Sequence, residues 1–98
     1  MPALGFEWDE RKNTENKRKH DVSFEEAQTV FFDEHALLAA DPDHSESEER
    51  FVLLGFSSAL RNLVVCHCYR RRGDRIRLIS ARKANRAERD QYERRWRE

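Results

Sequence analysis

Residues 60–82 read LRNLVVCHCYRRRGDRIRLISAR, two runs of branched, aromatic and small apolar side chains on either side of Arg71-Arg72-Gly73-Asp74. Such runs suit extended backbone, and the glycine-containing basic segment suits the turn between them. The pattern predicts strands over 60–69 and 75–80, and a link this short makes them antiparallel. A third strand over 50–57 precedes them, separated from the second only by the turn-like Ser58-Ala59. Period-two alternation then sorts the side chains. Ile76, Leu78 and Ser80 share one face of the last strand, and Arg75, Arg77 and Ile79 share the other. Leu63, Val65, His67 and Tyr69 fall together on the preceding strand, which allows His67 to lie on the face that carries Arg77.

Upstream of the sheet, Phe6 to Trp8 suit a short strand, and Asp9 suits the N-cap of a helix running to about Lys19. Residues 10–20 contain no apolar side chain, so charge pairing, packing of the flanking Trp8 and Val22, or a partner must hold that helix. Ser23 followed by Glu26 fits a capping box, and Phe24, Ala27, Val30 and Phe31 recur at helical spacing. Leu37 to Asp41 form a short apolar segment stopped by Pro42, and residues 43–48 read as an acidic loop. Downstream, residues 81–97 lack Gly and Pro and place Asp90 four before Arg94 and Glu93 four before Arg97. They predict a C-terminal helix with Ala84, Ala87, Tyr92 and Trp96 on its inner side. The expected fold is α+β: a small antiparallel sheet with N-terminal helices and a C-terminal helix packed against it, forming a single domain over residues 1–98.

The formal net charge of zero hides a separation. The first 49 residues carry five Lys/Arg and fourteen Asp/Glu, and the last 49 carry fourteen and five, so the halves differ as −9 and +9. Thirteen of the fourteen cations in the second half are Arg. The planar guanidinium fork matches phosphate oxygens, whereas Lys offers a point charge. An arginine-dense surface therefore suits nucleic acid, although a salt-bridged surface produces the same composition. A chain of 98 residues buries only somewhat over ~60% of its unfolded surface, so the core is modest and two-layered. No apolar stretch reaches the ~20 residues of a membrane span, and MPALGFEWDE lacks a basic segment followed by an apolar one, so a soluble cytoplasmic protein is expected.

Cys66 and Cys68 sit two apart on a strand, facing the same way and badly placed for a mutual disulfide. His67 projects to the other face, and no further ligand follows at zinc-site spacing, so two free thiols and no metal site are expected.

The order of residues resembles the BrnT family of toxin-antitoxin toxins, which have a RelE-like ribonuclease fold. The matching segments are Phe6-Glu7-Trp8-Asp9 with Lys12, then Asn16, Lys19-His20 and Ser23-Phe24-Glu25-Glu26-Ala27. They continue with His44-Ser45, Arg50, Gly55 and Leu63-Val64-Val65, and end in Ile76-Arg77-Leu78-Ile79-Ser80-Ala81-Arg82 with Ala84, Glu88 and Tyr92. The resemblance implies a cytoplasmic bacterial toxin that cleaves RNA without a metal or other cofactor and is held inactive by a cognate BrnA-like antitoxin. It further implies that the antitoxin dimerises, binds operator DNA, and assembles with two toxins into a heterotetramer. Two departures are visible: Asp21 stands where a glycine commonly follows the Lys-His pair, and the Cys-His-Cys segment at 66–68 differs from the usual residues.

The residue inventory agrees with such an activity. Cleavage by the ribose 2′-hydroxyl requires a proton acceptor, neutralisation of the phosphorane, and protonation of the 5′-oxygen. A few cations and one titrating group supply this, because the nucleophile belongs to the substrate. Paired hydrolase carboxylates, a glycine-rich phosphate loop and a Ser-His-Asp order are all missing from the sequence. The expected site places Arg50 and Arg77 on the phosphate and the transition state. It gives acid-base work to His67 or His20, and RNA holding to Lys19, Arg70, Arg71 and Arg82, although an acidic residue of the first half would equally account for Arg82. The alternative is a non-catalytic nucleic-acid-binding or protein-interaction module of the same fold.

Overall fold

The apolar runs at the centre of the chain form the interior strands of a five-stranded sheet. The computed structural model describes residues 5–41, 49–70 and 74–96. Its elements are β1 (Gly5–Glu7), α1 (Glu10–His20), α2 (Phe24–Ala27) with a 3₁₀ helix (Gln28–Phe32), β2 (Leu37–Ala40), β3 (Phe51–Phe56), β4 (Asn62–Arg70), β5 (Arg75–Lys83) and α3 (Arg86–Trp96). The strand order is β1-β5-β4-β3-β2. Strands β3 to β5 pair antiparallel as their short connections require and β2 lies antiparallel to β3, whereas β1 lies parallel to β5, with Glu7 beside Arg77. The sheet is therefore mixed rather than wholly antiparallel: most of the chain separates β1 from β5, so no hairpin dictates their direction.

Helices α1 and α2 and the 3₁₀ helix cover one face. Val22, Phe24, Ala27 and Val30 pack there onto Leu53, Leu63, Val65, Ile76, Leu78 and Ala81, all buried, with Phe6, Trp8 and Phe31 at the margin. On the other face α3 covers only one end, where Tyr92 and Ala84 meet Leu54 and Val64. Gly55 is needed where β3 passes beneath the 3₁₀ helix: a Cβ there would lie 2.9 Å from Asp33 Oδ2 and 3.0 Å from Val30 Cγ1. Asp33 also accepts hydrogen bonds from Phe56 N at 2.8 Å and Tyr92 Oη at 2.6 Å, which ties α3 to the opposite layer.

Three local expectations change. The second helix keeps its Ser23 cap, with Oγ accepting from Glu26 N at 3.0 Å, but becomes 3₁₀ after Ala27. The last helix starts at Arg86 instead of residue 81, because β5 continues to Lys83, paired with Leu63, and Ala84 N donates to Asn62 O. Asn85 and Glu88 then form the cap reciprocally, each accepting from the other's backbone N–H at 2.9 and 2.8 Å. Ala87 is exposed, and the Trp96 side chain lies outside the described residues.

The apolar-free helix α1 is anchored by two buried asparagines. Asn13 Oδ1 accepts from Phe24 N at 2.8 Å, and its Nδ2 donates to Glu25 and Glu10. Asn16 donates to Val22 O at 2.8 Å and to Ala81 O at 2.7 Å, and accepts from Ala81 N at 3.0 Å. An amide can both donate and accept, so it satisfies the N–H and C=O of a strand edge together. After α1, Asp21 adopts the left-handed conformation at φ 58°, where the departure from glycine is felt, and its N–H caps the helix by donating to Lys17 O.

Replacing Asn16 by Ala leaves buried backbone groups of Val22 and Ala81 unpaired and should lower stability by about 2–4 kcal/mol. Asn16→Asp, nearly the same shape but facing two carbonyls without a donor, should cost more than Asn16→Ala. Urea unfolding checks both; an Asp variant as stable as wild type would contradict this anchoring.

Candidate active site

The end of the sheet that α3 leaves uncovered carries arginine in place of apolar side chains. Strand partners share a face, so the pairs Val52–Cys66–Ser80, Cys68–Arg77–Glu7 and Arg70–Arg75 lie on the α3 side. Arg50, two residues before Val52, falls on the same side by alternation, and its charge reaches the Cys66 thiol. Arg70, Arg75 and Arg77 thus share one open surface, with Arg50 on the same side near Cys66 and Arg82 at the border of α3.

Glu7 sits at the centre of three of them. Its Oε1 accepts from Arg75 Nε at 2.8 Å, and its Oε2 lies 3.3 Å from Arg77 Nη1 and 3.4 Å from Arg70 Nε. The Arg75 hydrogen bond, followed by that of Arg77 and the charges of Arg75 and Arg70, holds its carboxyl below the ordinary glutamate range despite partial desolvation. The four side chains remain 28–44% exposed, open enough for a ligand to replace one contact with another. A carboxylate gripped by arginine forks marks where a phosphate can be gripped.

Arg82 forms a bidentate pair with Glu88, both contacts 2.8 Å, and each shifts the other toward its charged form, chiefly through these hydrogen bonds. It is a strand residue, and its partner belongs to the last helix rather than to the acidic half. The Cys66 thiol, half-buried and 3.6 Å from Asp41 Oδ2, is pushed up to about 11 by burial and by that carboxylate, and so stays protonated. Cys66 and Cys68 are both free.

The structure separates the remaining sequence candidates from this surface. His67 lies on the opposite face from Arg77. A register shift at Cys66/His67 pairs Cys66 with Ser80 but His67 with Leu78, making Ile79 an extra residue, so that Ala81 rather than Ser80 continues the face of Ile76 and Leu78. His67 has 0% exposure. Its ring packs edge-on against Phe31 and Tyr69 at centroid distances of 4.8 and 5.2 Å, while Nδ1 lies 3.1 Å from Val65 O and Nε2 3.2 Å from Tyr69 Oη. Lys19 and His20 are exposed in the last turn of α1, in the layer across the sheet. Arg71 lies outside the described residues. Arg75 and Glu7, absent from the expected site, enter it. Arg75 shares the alternation that selected Arg77 and was legible, whereas Glu7 joins only through the parallel pairing of β1.

Burial holds the His67 imidazole below its ordinary value, so it folds neutral. The unfolded chain takes up a proton that the folded one refuses, and stability falls as pH drops below about 6.5. His67→Phe, which suits the aromatic surroundings, should reduce the loss of stability between pH 7 and 5.5 in urea titrations and keep any RNA cleavage close to wild type. A folded His67→Phe protein without cleavage by an otherwise active enzyme would return His67 to the chemistry.

Comparison with known proteins bears on this geometry. The model of a family described as "Ribonuclease toxin, BrnT, of type II toxin-antitoxin system" matches residues 8–88. The crystal structure of the Brucella abortus ribonuclease toxin BrnT is similar in fold, with a TM-score of 0.62 over 86% of this chain and 100% of that one, at 20% identity. No curated protein matches. With the family model spanning the helical layer, strands β2 to β5 and the start of α3, the chain belongs to the BrnT family of ribonuclease toxins of type II toxin-antitoxin systems.

Proposed function

We propose that this chain is an endoribonuclease toxin that cleaves RNA through the substrate's own 2′-hydroxyl, without a metal, and that its site is the arginine surface around Glu7. The observation that carries the reading is the convergence of Arg70, Arg75 and Arg77 on one carboxylate, with Arg50 on the same open face. An RNA phosphate placed there meets forks that already hold an anion. As the 2′-oxygen attacks, the phosphorane gains charge, and guanidinium groups preorganised at a sheet surface stabilise it without having to be recruited. Arg50 and Arg77 take that role in the proposal, with Arg70, Arg75 and Arg82 holding flanking phosphates.

Family membership supports a protein antitoxin as the physiological partner. In this reading a BrnA-like antitoxin covers the arginine face and competes with RNA. Two toxins and an antitoxin dimer form the complex, and operator DNA is bound through the antitoxin alone. The toxin acts in the cytoplasm, where cleavage of RNA halts translation and growth. Among the described residues no helix is long and apolar enough to cross a membrane, and no three His, Cys, Asp or Glu side chains gather as metal ligands.

RNA incubated with the purified, antitoxin-free protein in excess chelator should be cut and should carry 2′,3′-cyclic phosphate or 3′-phosphate ends. End-group analysis decides it. Products with 3′-hydroxyl ends, or activity lost to chelator and restored by Mg²⁺, would overturn the mechanism, and RNA retained intact at stoichiometric protein would favour a binding module.

A further inference from the structure

With His67 sealed on the far side of the sheet, the arginine face needs another proton acceptor. Among the described residues, the Cys66 thiol and the carboxylates of Asp41, Glu88 and Glu7 lie on or beside that face. The Cys66 thiol is protonated near neutrality. Asp41, beyond the end of β2, accepts from that thiol. Glu88 has both oxygens taken by Arg82, and Oε1 also accepts Asn85 N, so its removal from the pair would undo the cap of α3. Glu7 differs. Its Oε1 is held closely by Arg75, whereas among the described residues its Oε2 meets Arg77 and Arg70 at the longer distances of 3.3 and 3.4 Å, and the side chain is 28% exposed.

Resting on the ribonuclease reading above, we infer that Glu7 is the general base of the cleavage reaction. A phosphate bound to Arg77 lies beside Glu7, and the adjacent ribose then brings its 2′-hydroxyl within reach of Oε2. The hydroxyl proton passes to the carboxylate while the bond from the 2′-oxygen to phosphorus forms. The bond from phosphorus to the 5′-oxygen breaks, and the leaving oxygen takes a proton from water. The products are a 2′,3′-cyclic phosphate and a 5′-hydroxyl, and Glu7 returns its proton to solvent.

The surrounding charges regulate this step. Among the described residues, the groups facing Glu7 from the neighbouring strands are Arg70 of β4 and Arg75 and Arg77 of β5. In the free protein they keep Glu7 ionised and weakly basic. A bound phosphate shares those guanidinium groups, which weakens their hold on the carboxylate and raises its proton affinity when the substrate is in place. A carboxylate among arginines is thus both placeholder for the phosphate and acceptor of the proton.

The test compares wild type, Glu7→Gln and Glu7→Ala on a labelled single-stranded RNA, with the same RNA carrying 2′-O-methyl groups as a binding probe that resists cleavage. Glu7→Gln, which keeps the shape, should lose roughly 10²- to 10⁴-fold in turnover. It should bind the methylated RNA as tightly as wild type or tighter, since a negative charge has left the surface. Formate should restore part of the activity of Glu7→Ala. The wild-type rate should fall at acid pH with a limb that Glu7→Gln lacks; this limb is read on wild type even if a variant fails to fold. A folded Glu7→Gln within threefold of wild-type turnover, a variant that loses binding as much as rate, or a wild type without an acid limb would overturn the inference. An inactive wild type would instead overturn the ribonuclease reading on which it rests.

Discussion

Asn16 closes the edge of β5, and the two-sided design of the molecule depends on that contact. Strand β1 pairs with β5 only from Arg75 to Arg77, so the strand's outer backbone groups need another partner further along. At Ala81 the Asn16 amide provides one, donating to the carbonyl and accepting from the N–H. Its third bond, to Val22 O, sets the chain's entry into α2. A helix with no apolar residue is thereby fixed to the sheet through buried hydrogen bonds. The penalty for leaving such groups unpaired makes that attachment strong. One sheet face is consequently filled by α1, α2 and the 3₁₀ helix, and the opposite face remains available for charge.

Part of the charge separation is internal pairing. Glu7 meets Arg70, Arg75 and Arg77 across the two halves, and Arg61 donates through Nε to Glu26 at 2.9 Å and reaches the carbonyl of Asp21, bracing the β3–β4 hairpin against the helical layer. Other pairs are local, such as Arg18 with Glu15 and Arg82 with Glu88. The exposed pairs contribute little to stability. Their effect is on position: Glu7 and Glu88 hold four arginines, Arg70, Arg75, Arg77 and Arg82, in defined places on a face that would otherwise be a set of mutually repelling cations.

Strands β1 and β3 to β5 and the first two helix starts were legible because their signals are local, whereas Leu37–Ala40 read only as a short apolar segment. Branched side chains marked β3 to β5, and Asp9 and Ser23 both cap as their type and spacing suggest. The arginine face was legible through the alternation of Arg75 and Arg77. Four things were not. The extra residue Ile79 reverses the alternation within a single strand, so that Ala81 rather than Ser80 joins Ile76 and Leu78, while His67 pairs with Leu78 and lies away from Arg77. The pairing of β1 beside β5 is a long-range contact, so nothing local placed Glu7, one of the residues that carry the resemblance, among the arginines. The burial of Asn13 and Asn16 carried no local signal, since polar helix residues are usually solvated. The start of α3 was hidden because residues 81–85 suit a helix as well as a strand until Leu63 is found opposite Lys83.

If the proposed site is correct, RNA binds to the face of Arg70, Arg75 and Arg77 rather than to the basic last turn of α1, where Lys17, Arg18, Lys19 and His20 gather. Titrating the ¹⁵N-labelled protein with 2′-O-methyl RNA and following backbone amides together with arginine Nε–H groups distinguishes the two surfaces directly. Shifts are expected at Gly5 to Glu7, at Arg70 and from Arg75 to Arg77, with the Nε–H resonances of Arg70 and Arg75 moving as Glu7 gives way to phosphate. Shifts confined to residues 17–20, with β1 and β5 unmoved, would contradict it.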